Sequence, residues 1–372
     1  MLSYFYIRSE TLDTGAFVKA LKNYDTNGVI LIFNYGGELK VMHAPENIPL
    51  KKIYHFYKPG HWTANRWIKW PSLILLTMGI LVKTLRHQRI DHFIMSGGDF
   101  VFWFAQFFKK FGLIKRTSNL LEDWSLPNPQ DSIMNRIKIH VNDFLLTHMD
   151  TTVIQVFKES FDMRNKYRHN KTLKNTVLLE HNWAWFLERR KAMPVKKDRK
   201  NICFLGNARP KFGIEMLFEM LPELNKEYGF RLKMIGPETE LYNHYKQLAV
   251  QMNVSQYVDW LGFVSYDDVP KELDDCFCGI NLYEHEDNVN RFVLAGRVIV
   301  YIQNLVVPVI SPYSGPTVET VEQFKLGIIS KPTKEAFKAS ILEAYKRNAE
   351  FVANEDWFLS HNPYQRDIAD CV

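Results

Sequence analysis

Between residues 201 and 330 short apolar runs alternate with longer stretches of helical spacing. NICFLG (201–206) reads as a strand ending in Gly. FGIEMLFEMLPELNKEYG (212–229) repeats apolar residues at three- and four-residue intervals and then stops at Gly. RLKMIGP is the next strand and turn, LYNHYKQLAVQMN the next helix, and VDWLGFV a strand. SYDDVPKELDDC reads as a capped short helix and FCGINLY as a strand. VIVYIQNL is a helix or its last turns, and VPVISP and GIIS follow as strands. Strands alternating with helices of this length predict a parallel sheet with right-handed crossovers, a Rossmann-like domain.

The first half shows the same pattern less regularly. GVILIFNYGG, DHFIMSGGD and LIKRTSNLLEDW read as strands, and DTTVIQVFKESFDMRNKY as a strand running into a helix. RRKAMPVKKDRK (189–200) is basic, contains Pro and has the composition of a linker. After Glu343 a last helical region runs towards residue 372. A chain of 372 residues is long for one core. The predicted division is 1–190 and 200–345, with 346–372 packing back on the first domain.

Composition narrows the classes. Hydrophobic residues at 46% and charged residues at 24% exclude disordered and fibrous chains. The net charge of +6 suggests a mild preference for anionic lipid or phosphorylated ligands, and no nucleic acid is expected. Four cysteines make no disulfide framework in a chain of this size. Cys276 and Cys278 form a C-x-C better read as an alternating strand than as half of a metal site. No metal or other cofactor is expected, and the cysteines suit a reducing compartment. MLSYFYIRSETLDTG lacks the basic head and apolar core of a signal peptide, so a cytoplasmic location is expected.

Residues 47–90 contain no Asp or Glu, but hold Lys51, Lys52, Lys58, Arg66, Lys69, Lys83, Arg86 and Arg89. Tyr54, Phe56, Tyr57, Trp62, Trp67 and Trp70 are interleaved, followed by SLILLTMGILV (72–82). That run is too short to span a bilayer, which needs about 20 residues. Cations and interfacial tryptophans beside a short apolar helix predict a peripheral contact with an anionic membrane surface. A core helix with a solvated basic flank is the other reading.

Ligands of open α/β sheets bind outside the carboxyl ends of the strands, where backbone N–H groups face outward. In the second half those positions hold Asn207, Arg209 and Lys211 after ICFLG, and Glu284, His285, Glu286, Asp287, Asn288, Asn290 and Arg291 after CGINLY. Ser311, Ser314, Gly315, Thr317 and Glu319 follow VPVIS. Cations beside a Gly turn, joined by Arg291 and Arg297 and faced by a loop of small residues, would suit a diphosphate. Singly, each is an ordinary loop residue. Their convergence on one sheet edge makes them candidates.

These segments carry a resemblance. VDWLGFVSYDDVPKELDDCFCGINLY followed by GRVIVYIQNLVVPVISPYSGPTVETVEQFKLGIIS resembles the donor domain of group 1, family 4-like GT-B glycosyltransferases. FLGNARPKFGIEMLFEMLPEL and RLKMIGP match the preceding elements, so the resemblance covers residues 200–345 in order. LLEDWSLPN and MDTTVIQVFKESFDM are similar to that family's first-domain segments. The resemblance implies an α/β fold of two facing Rossmann-like domains with parallel sheets and an interdomain cleft holding a nucleotide-sugar donor. The family's phosphate-binding cations fall on Arg209, Lys211 and Arg297, and its G…E loop on Gly315, Thr317 and Glu319. One departure stands out. The ribose-binding Glu of the E-x7-E motif falls on Val300, and the position eight residues earlier is Phe292. Either Glu284, Glu286 or Asp287 takes its place or the donor is held differently.

On the acceptor side the resemblance points to Thr14, Gly15, Gly98, Asp99, Glu122 and Asp123. Asp99 and Asp123 are the candidates to orient or deprotonate an acceptor hydroxyl. Each is equally a cap or turn former. His181 sits where the domains should meet, and a structural role is its simpler reading. The expected activity is metal-independent transfer of a sugar from a UDP- or GDP-sugar to a lipid-linked or glycan acceptor. The setting is cell-surface polysaccharide or lipopolysaccharide synthesis, by a cytoplasmic enzyme peripheral on the inner membrane face. The alternatives are a silent subunit of the same fold and a nucleotide-sugar epimerase.

Overall fold

The computed structural model describes residues 2–9, 28–33, 38–44, 51–55, 66–96, 101–121, 133, 148–154, 176–178, 198–265, 268–284 and 295–361. The chain divides into two units, Met1–Trp185 with Arg366–Val372, and Phe186–Gln365.

The first unit is built on an eight-stranded sheet. Its strands are β1 (Leu2–Ser9), β2 (Gly28–Phe33), β3 (Glu38–Ala44), β4 (Lys51–His55), β5 (Ile90–Ser96), β6 (Ile114–Leu121), β7 (Thr151–Ile154) and β8 (Thr176–Leu178). The order across the sheet is β4-β3-β2-β1-β5-β6-β7-β8. This sheet is mixed, which corrects the expectation of parallel sheets throughout: β3 runs antiparallel to both β2 and β4. Only residues 34–37 join β2 to β3, too few for the crossover that a parallel neighbour requires. β4 occupies part of the basic, aromatic segment, so 51–55 is a sheet edge.

Two helices follow from parallel crossovers. α1 (Arg66–His87) leads into β5, and α2 (Val101–Lys110) connects β5 to β6. Because β4 and β5 run the same way and both steps move in one direction, right-handed crossovers put both helices on one face of the sheet. The two helices touch. α1 buries Thr77, Leu81 and Leu85, a helical stripe at four-residue intervals. Its 22 residues exceed the expected 72–82. No helix among the described residues is long and apolar enough to cross a membrane. α2 is held to the sheet through buried Ala105, through Gln106, whose amide donates to Thr117 Oγ1 at 3.0 Å, and through the Lys109–Asp150 ion pair.

The second unit has six parallel strands: β9 (Asn201–Leu205), β10 (Arg231–Ile235), β11 (Val258–Gly262), β12 (Cys276–Asn281), β13 (Val307–Ile310) and β14 (Ile328–Ile329). Their order is β11-β10-β9-β12-β13-β14, which is third-second-first-fourth-fifth-sixth. That is the doubly wound Rossmann order. The helices are α3 (Ile214–Tyr228), α4 (Glu240–Gln251), α5 (Val269–Leu273), α6 (Gly296–Gln303), α7 (Gly315–Phe324), α8 (Lys334–Lys346) and α9 (Asn348–His361). Thr239 and Thr333 cap α4 and α8 by accepting the Tyr242 and Ala336 N–H groups. Asp268 caps nothing. Its carboxylate instead accepts from Ser265 and Lys271, which corrects the capped reading of α5.

Both faces of this sheet are covered, so its strands read as continuous apolar runs. Every residue of β12 is buried. Cys278 packs into the larger core with Phe230 and Phe277, while Cys276 and Cys203 lie in the smaller cluster around Leu273 and Tyr301. Both cysteines are buried, and the register shift between them accompanies their placement in different clusters, where simple alternation would put both on one face.

Two boundary expectations change. Arg199, at the end of the supposed linker, is buried and donates to the Asp274 and Leu305 carbonyls, so the packed unit begins before residue 200. α9 packs on α6, α7, α8 and β13 of the second unit, whereas 346–372 were expected on the first. α9 buries Glu355, whose two carboxylate oxygens have no hydrogen-bond partner. Burial raises its pKa well above the ordinary value, partly opposed by Arg199. A carboxyl with a raised folded pKa favours the fold at low pH, and that stability is lost as pH climbs from the unfolded value towards the folded one. Glu355→Gln should therefore raise the unfolding free energy at pH 8 by about 1–3 kcal/mol, seen as a higher urea midpoint. The gain should shrink towards pH 5. A variant less stable than the parent at pH 8 would contradict this.

Candidate functional site

In the second sheet the strand order reverses between β9 and β12. At such a switch point adjacent crossovers leave on opposite faces and open a crevice at the carboxyl ends of the strands. The ends here are Leu205-Gly206 and Asn281-Leu282.

The loop after β9 starts at Gly206, whose φ of 102° lies in the region glycine favours. Neighbouring Gly236 is also required, because a Cβ there would run into the Gly206 carbonyl. The loop then carries Asn207, Arg209 and Lys211, all exposed. Lys211 adopts a left-handed backbone (φ 66°), and its carbonyl accepts the Glu284 N–H at 3.0 Å. Gly213 (φ 73°) lets the loop turn into α3 against Leu282. The β9 and β12 loops are thus tied together, which brings Arg209, Lys211 and Glu284 to one rim. Tyr245 on α4 adds a brace, its hydroxyl lying 3.1 Å from the Arg209 carbonyl and 2.8 Å from Glu215.

Arg297, the second residue of α6, completes the rim. Its guanidinium carbon lies 4.7 Å from the Phe204 ring centroid and 5.1 Å from that of Phe212. Phe212 meets Tyr283 edge to face at 5.0 Å. Nη1 of Arg297 is shut off from water and has no hydrogen-bond partner. No acid pairs with this guanidinium among the described residues. Burial lowers its pKa from the ordinary arginine value, Tyr301 and Tyr283 oppose the shift, and Arg209 adds to it. An arginine so placed keeps its proton at neutral pH. The result is a desolvated positive charge, sandwiched on aromatic faces beside a second cation.

Tyr301, on the same helix, fixes the gap between the strands. Its hydroxyl accepts the Leu205 N–H at 3.0 Å and donates to the Ile280 carbonyl at 3.2 Å. These are backbone groups at the two strand ends where the sheet opens. Its ring lies flat against Gly279. Val300, the position of the expected carboxylate, instead packs with Leu205, Leu261 and Val264 at the edge of the smaller apolar cluster.

The small-residue loop after β13 serves the protein itself. Ser311, Ser314 and Thr317 are buried. Ser314 Oγ accepts from Asn281 Nδ2 at 3.3 Å, and Thr317 Oγ1 accepts the Ala295 N–H at 3.1 Å. The Ser314 and Thr317 hydroxyls were expected to face a ligand, and their oxygens lock α7 to β12 and to the start of α6, while Ser311 Oγ is buried without a hydrogen-bond partner. Gly315 (φ 42°) begins α7, and Glu319 is exposed on its second turn. Glu286, Asp287, Arg291, Phe292, Thr14, Gly15, Gly98, Asp99, Glu122, Asp123 and His181 lie outside the described residues.

Phe204, Phe212, Tyr283 and Tyr301 were not singled out from the sequence. An aromatic inside an apolar strand reads as core, and only the position of Phe204 and Tyr283 at strand ends hinted otherwise. Among the described residues no group of three or more His, Cys, Asp or Glu could hold a metal ion.

Residues 186–354 match the family model for glycosyl transferases group 1. The matched segment spans most of the second unit. No curated protein matches the chain significantly. Solved structures match along nearly the whole length, and their GT-B folds agree with the two Rossmann-like units. HepE of Anabaena, solved with UDP and glucose, is 12% identical with a TM-score of 0.64, covering 100% of this chain and 99% of its own. A sucrose-phosphate synthase from Thermosynechococcus elongatus is 12% identical with a TM-score of 0.63, over 99% and 94%. WaaG, a glycosyltransferase involved in lipopolysaccharide biosynthesis, is 10% identical with a TM-score of 0.59, over 99% and 98%.

A Cβ added at Gly279 would sit 2.5–2.6 Å from atoms of the Tyr301 ring. Gly279→Ala should therefore cost about 1–3 kcal/mol, seen as a lowered urea midpoint. An unchanged midpoint would show that the Tyr301 ring can move aside.

Proposed function

We propose that this protein is a metal-independent glycosyltransferase. It moves a sugar from a UDP- or GDP-sugar to a hydroxyl of a lipid-linked or glycan acceptor. The observation that carries the reading is the Arg297 guanidinium, with no acid partner among the described residues, at the switch point of a sheet that matches the group 1 glycosyl transferase model. A buried cation without an acid costs free energy unless a ligand supplies the anion. A nucleoside diphosphate does so at this edge, where Arg209 and Lys211 flank the same opening.

In this reading the bond from the anomeric carbon to the diphosphate oxygen breaks as the acceptor oxygen bonds to that carbon. Negative charge grows on the departing diphosphate, and Arg297, Arg209 and Lys211 stabilise it in place of a metal ion. Asn207, Glu284, Glu286, Arg291, Gly315 and Glu319 are the further donor-side candidates. Asp99 or Asp123 takes the acceptor proton, with Thr14, Gly15, Gly98 and Glu122 near the acceptor. The 47–90 segment holds the protein peripherally on the inner face of the cell membrane. WaaG's role in lipopolysaccharide biosynthesis supports placing the reaction in cell-surface glycan assembly.

The apolar surroundings of Val300 favour one rival, a silent subunit that has lost donor binding. Incubation with a panel of UDP- and GDP-sugars, reading nucleotide release and product mass, separates the two. Arg297→Ala should lower kcat/KM about 10²–10³-fold, with Arg297→Lys recovering part of the loss. No nucleotide binding by the parent protein would favour the silent subunit. Turnover unaffected by Arg297→Ala would overturn the site.

A further inference from the structure

The first unit exposes more aromatic surface than its fold needs. On α2, Phe104, Phe107 and Phe111 at the helix end are 40%, 54% and 67% exposed. Their spacing places them on one helical face, opposite the Ala105, Gln106 and Lys109 side that packs on the sheet. Phe107 contacts Phe108 and Phe111 at ring-centroid distances of 5.6 and 4.9 Å. Phe107 and Phe111 form a continuous aromatic edge, with exposed Phe104 one turn earlier on the same face.

α1 lies in the same layer and touches α2. Its outward stripe, opposite buried Thr77, Leu81 and Leu85, runs from Leu75, 71% exposed, through Gly79 to Lys83 and Arg86. Lys110 at the end of α2 and Arg89 just beyond α1 are also exposed. Neither helix contains an acidic residue. Lys83, Arg86, Arg89 and Lys110 have no acidic partner among the described residues. Exposed apolar surface rimmed by charge of one sign marks a partner of opposite charge with an apolar interior.

We propose that the outward faces of α1 and α2 form one docking surface for an anionic lipid bilayer, with Phe104, Phe107 and Phe111 as the inserting side chains. This refines the membrane contact of the preceding section and rests on that reading for its purpose. It moves the apolar anchor from the 47–90 segment onto α2. An acidic soluble protein would match the cations but leave a phenylalanine ridge without a hydrocarbon phase. A second copy of the chain would bring like charges together. A bilayer whose headgroups are anionic and whose interior is apolar satisfies both parts of the surface.

The test is vesicle flotation of the full chain with phosphatidylcholine alone and with phosphatidylglycerol added. UDP and GDP affinity is measured on the same samples as an independent check of the second unit. The parent protein should float only with phosphatidylglycerol present, and less as salt rises. F104S/F107S/F111S and the charge reversal K83E/R86E/K110E should each weaken flotation at least about tenfold with UDP affinity unchanged. The single variant Phe107→Ser should give a smaller loss in the same direction. Binding unchanged in the triple phenylalanine variant, or absent in the parent, would overturn the proposal. So would a parent dimer, without flotation, that the triple variant converts to monomer. A parent that floats but binds neither UDP nor GDP would defeat the glycosyltransferase reading and leave the membrane surface standing.

Discussion

A positive charge held out of water with no counter-charge among the described residues is the constraint that organises the second unit. The Arg297 guanidinium rests on Phe204 and Phe212, with Nη1 lacking any hydrogen-bond partner. Burial disfavours its charged form, Arg209 adds repulsion, and the aromatic faces return part of the cost. Such an arrangement is tolerable where an anion is a regular visitor. The switch point of a doubly wound sheet is where elementary geometry delivers one, because backbone amides and helix N-termini converge there.

Holding that charge in place takes a rigid frame. β12 is buried along its whole length between two helix layers. Tyr301 bridges the diverging ends of β9 and β12, and Gly279 leaves room for its ring. Asn281, Ser314 and Thr317 tie the strand end to α6 and α7. Asn281 Oδ1 and Ser311 Oγ stay buried without a hydrogen-bond partner, and the cations at this edge among the described residues are Arg297, Arg209 and Lys211.

Much of this frame was legible in the chain. The β/α alternation from Asn201 to Ile329 follows from period changes that the structure reproduces; the cations after β9 were singled out from their place at a strand end, and Arg297 from its nearness in sequence and the family resemblance. The first unit was harder to read. β1 was not identified, β3 carries alternating charge, and β4 lies in a stretch whose Lys and aromatic residues suggested a membrane contact. β1 is a strand through pairing with β2 and the distant β5, while β3 and β4 are placed by short antiparallel connections from β2. The roles of Ser314 and Thr317 were misjudged for a related reason: a hydroxyl in a loop of small residues looks the same in sequence whether it faces a ligand or a neighbouring strand. Phe204 and Phe212 were invisible as guanidinium partners because an aromatic in an apolar run already has an explanation as core.

The first unit offers a second charged surface of different character, on helices whose other faces are fixed to the sheet by Thr77, Leu81, Leu85 and Ala105. The two proposed surfaces are chemically independent, one suited to a diphosphate and the other to a lipid headgroup layer. The central claim concerns the first, and calorimetric titration of the full chain with UDP, GDP, uridine and guanosine tests it most directly. If the unmatched guanidinium grips the diphosphate, at least one nucleoside diphosphate should bind about tenfold or more tightly than its nucleoside, with the difference shrinking in high salt. Equal affinity for nucleoside and nucleoside diphosphate would contradict the account.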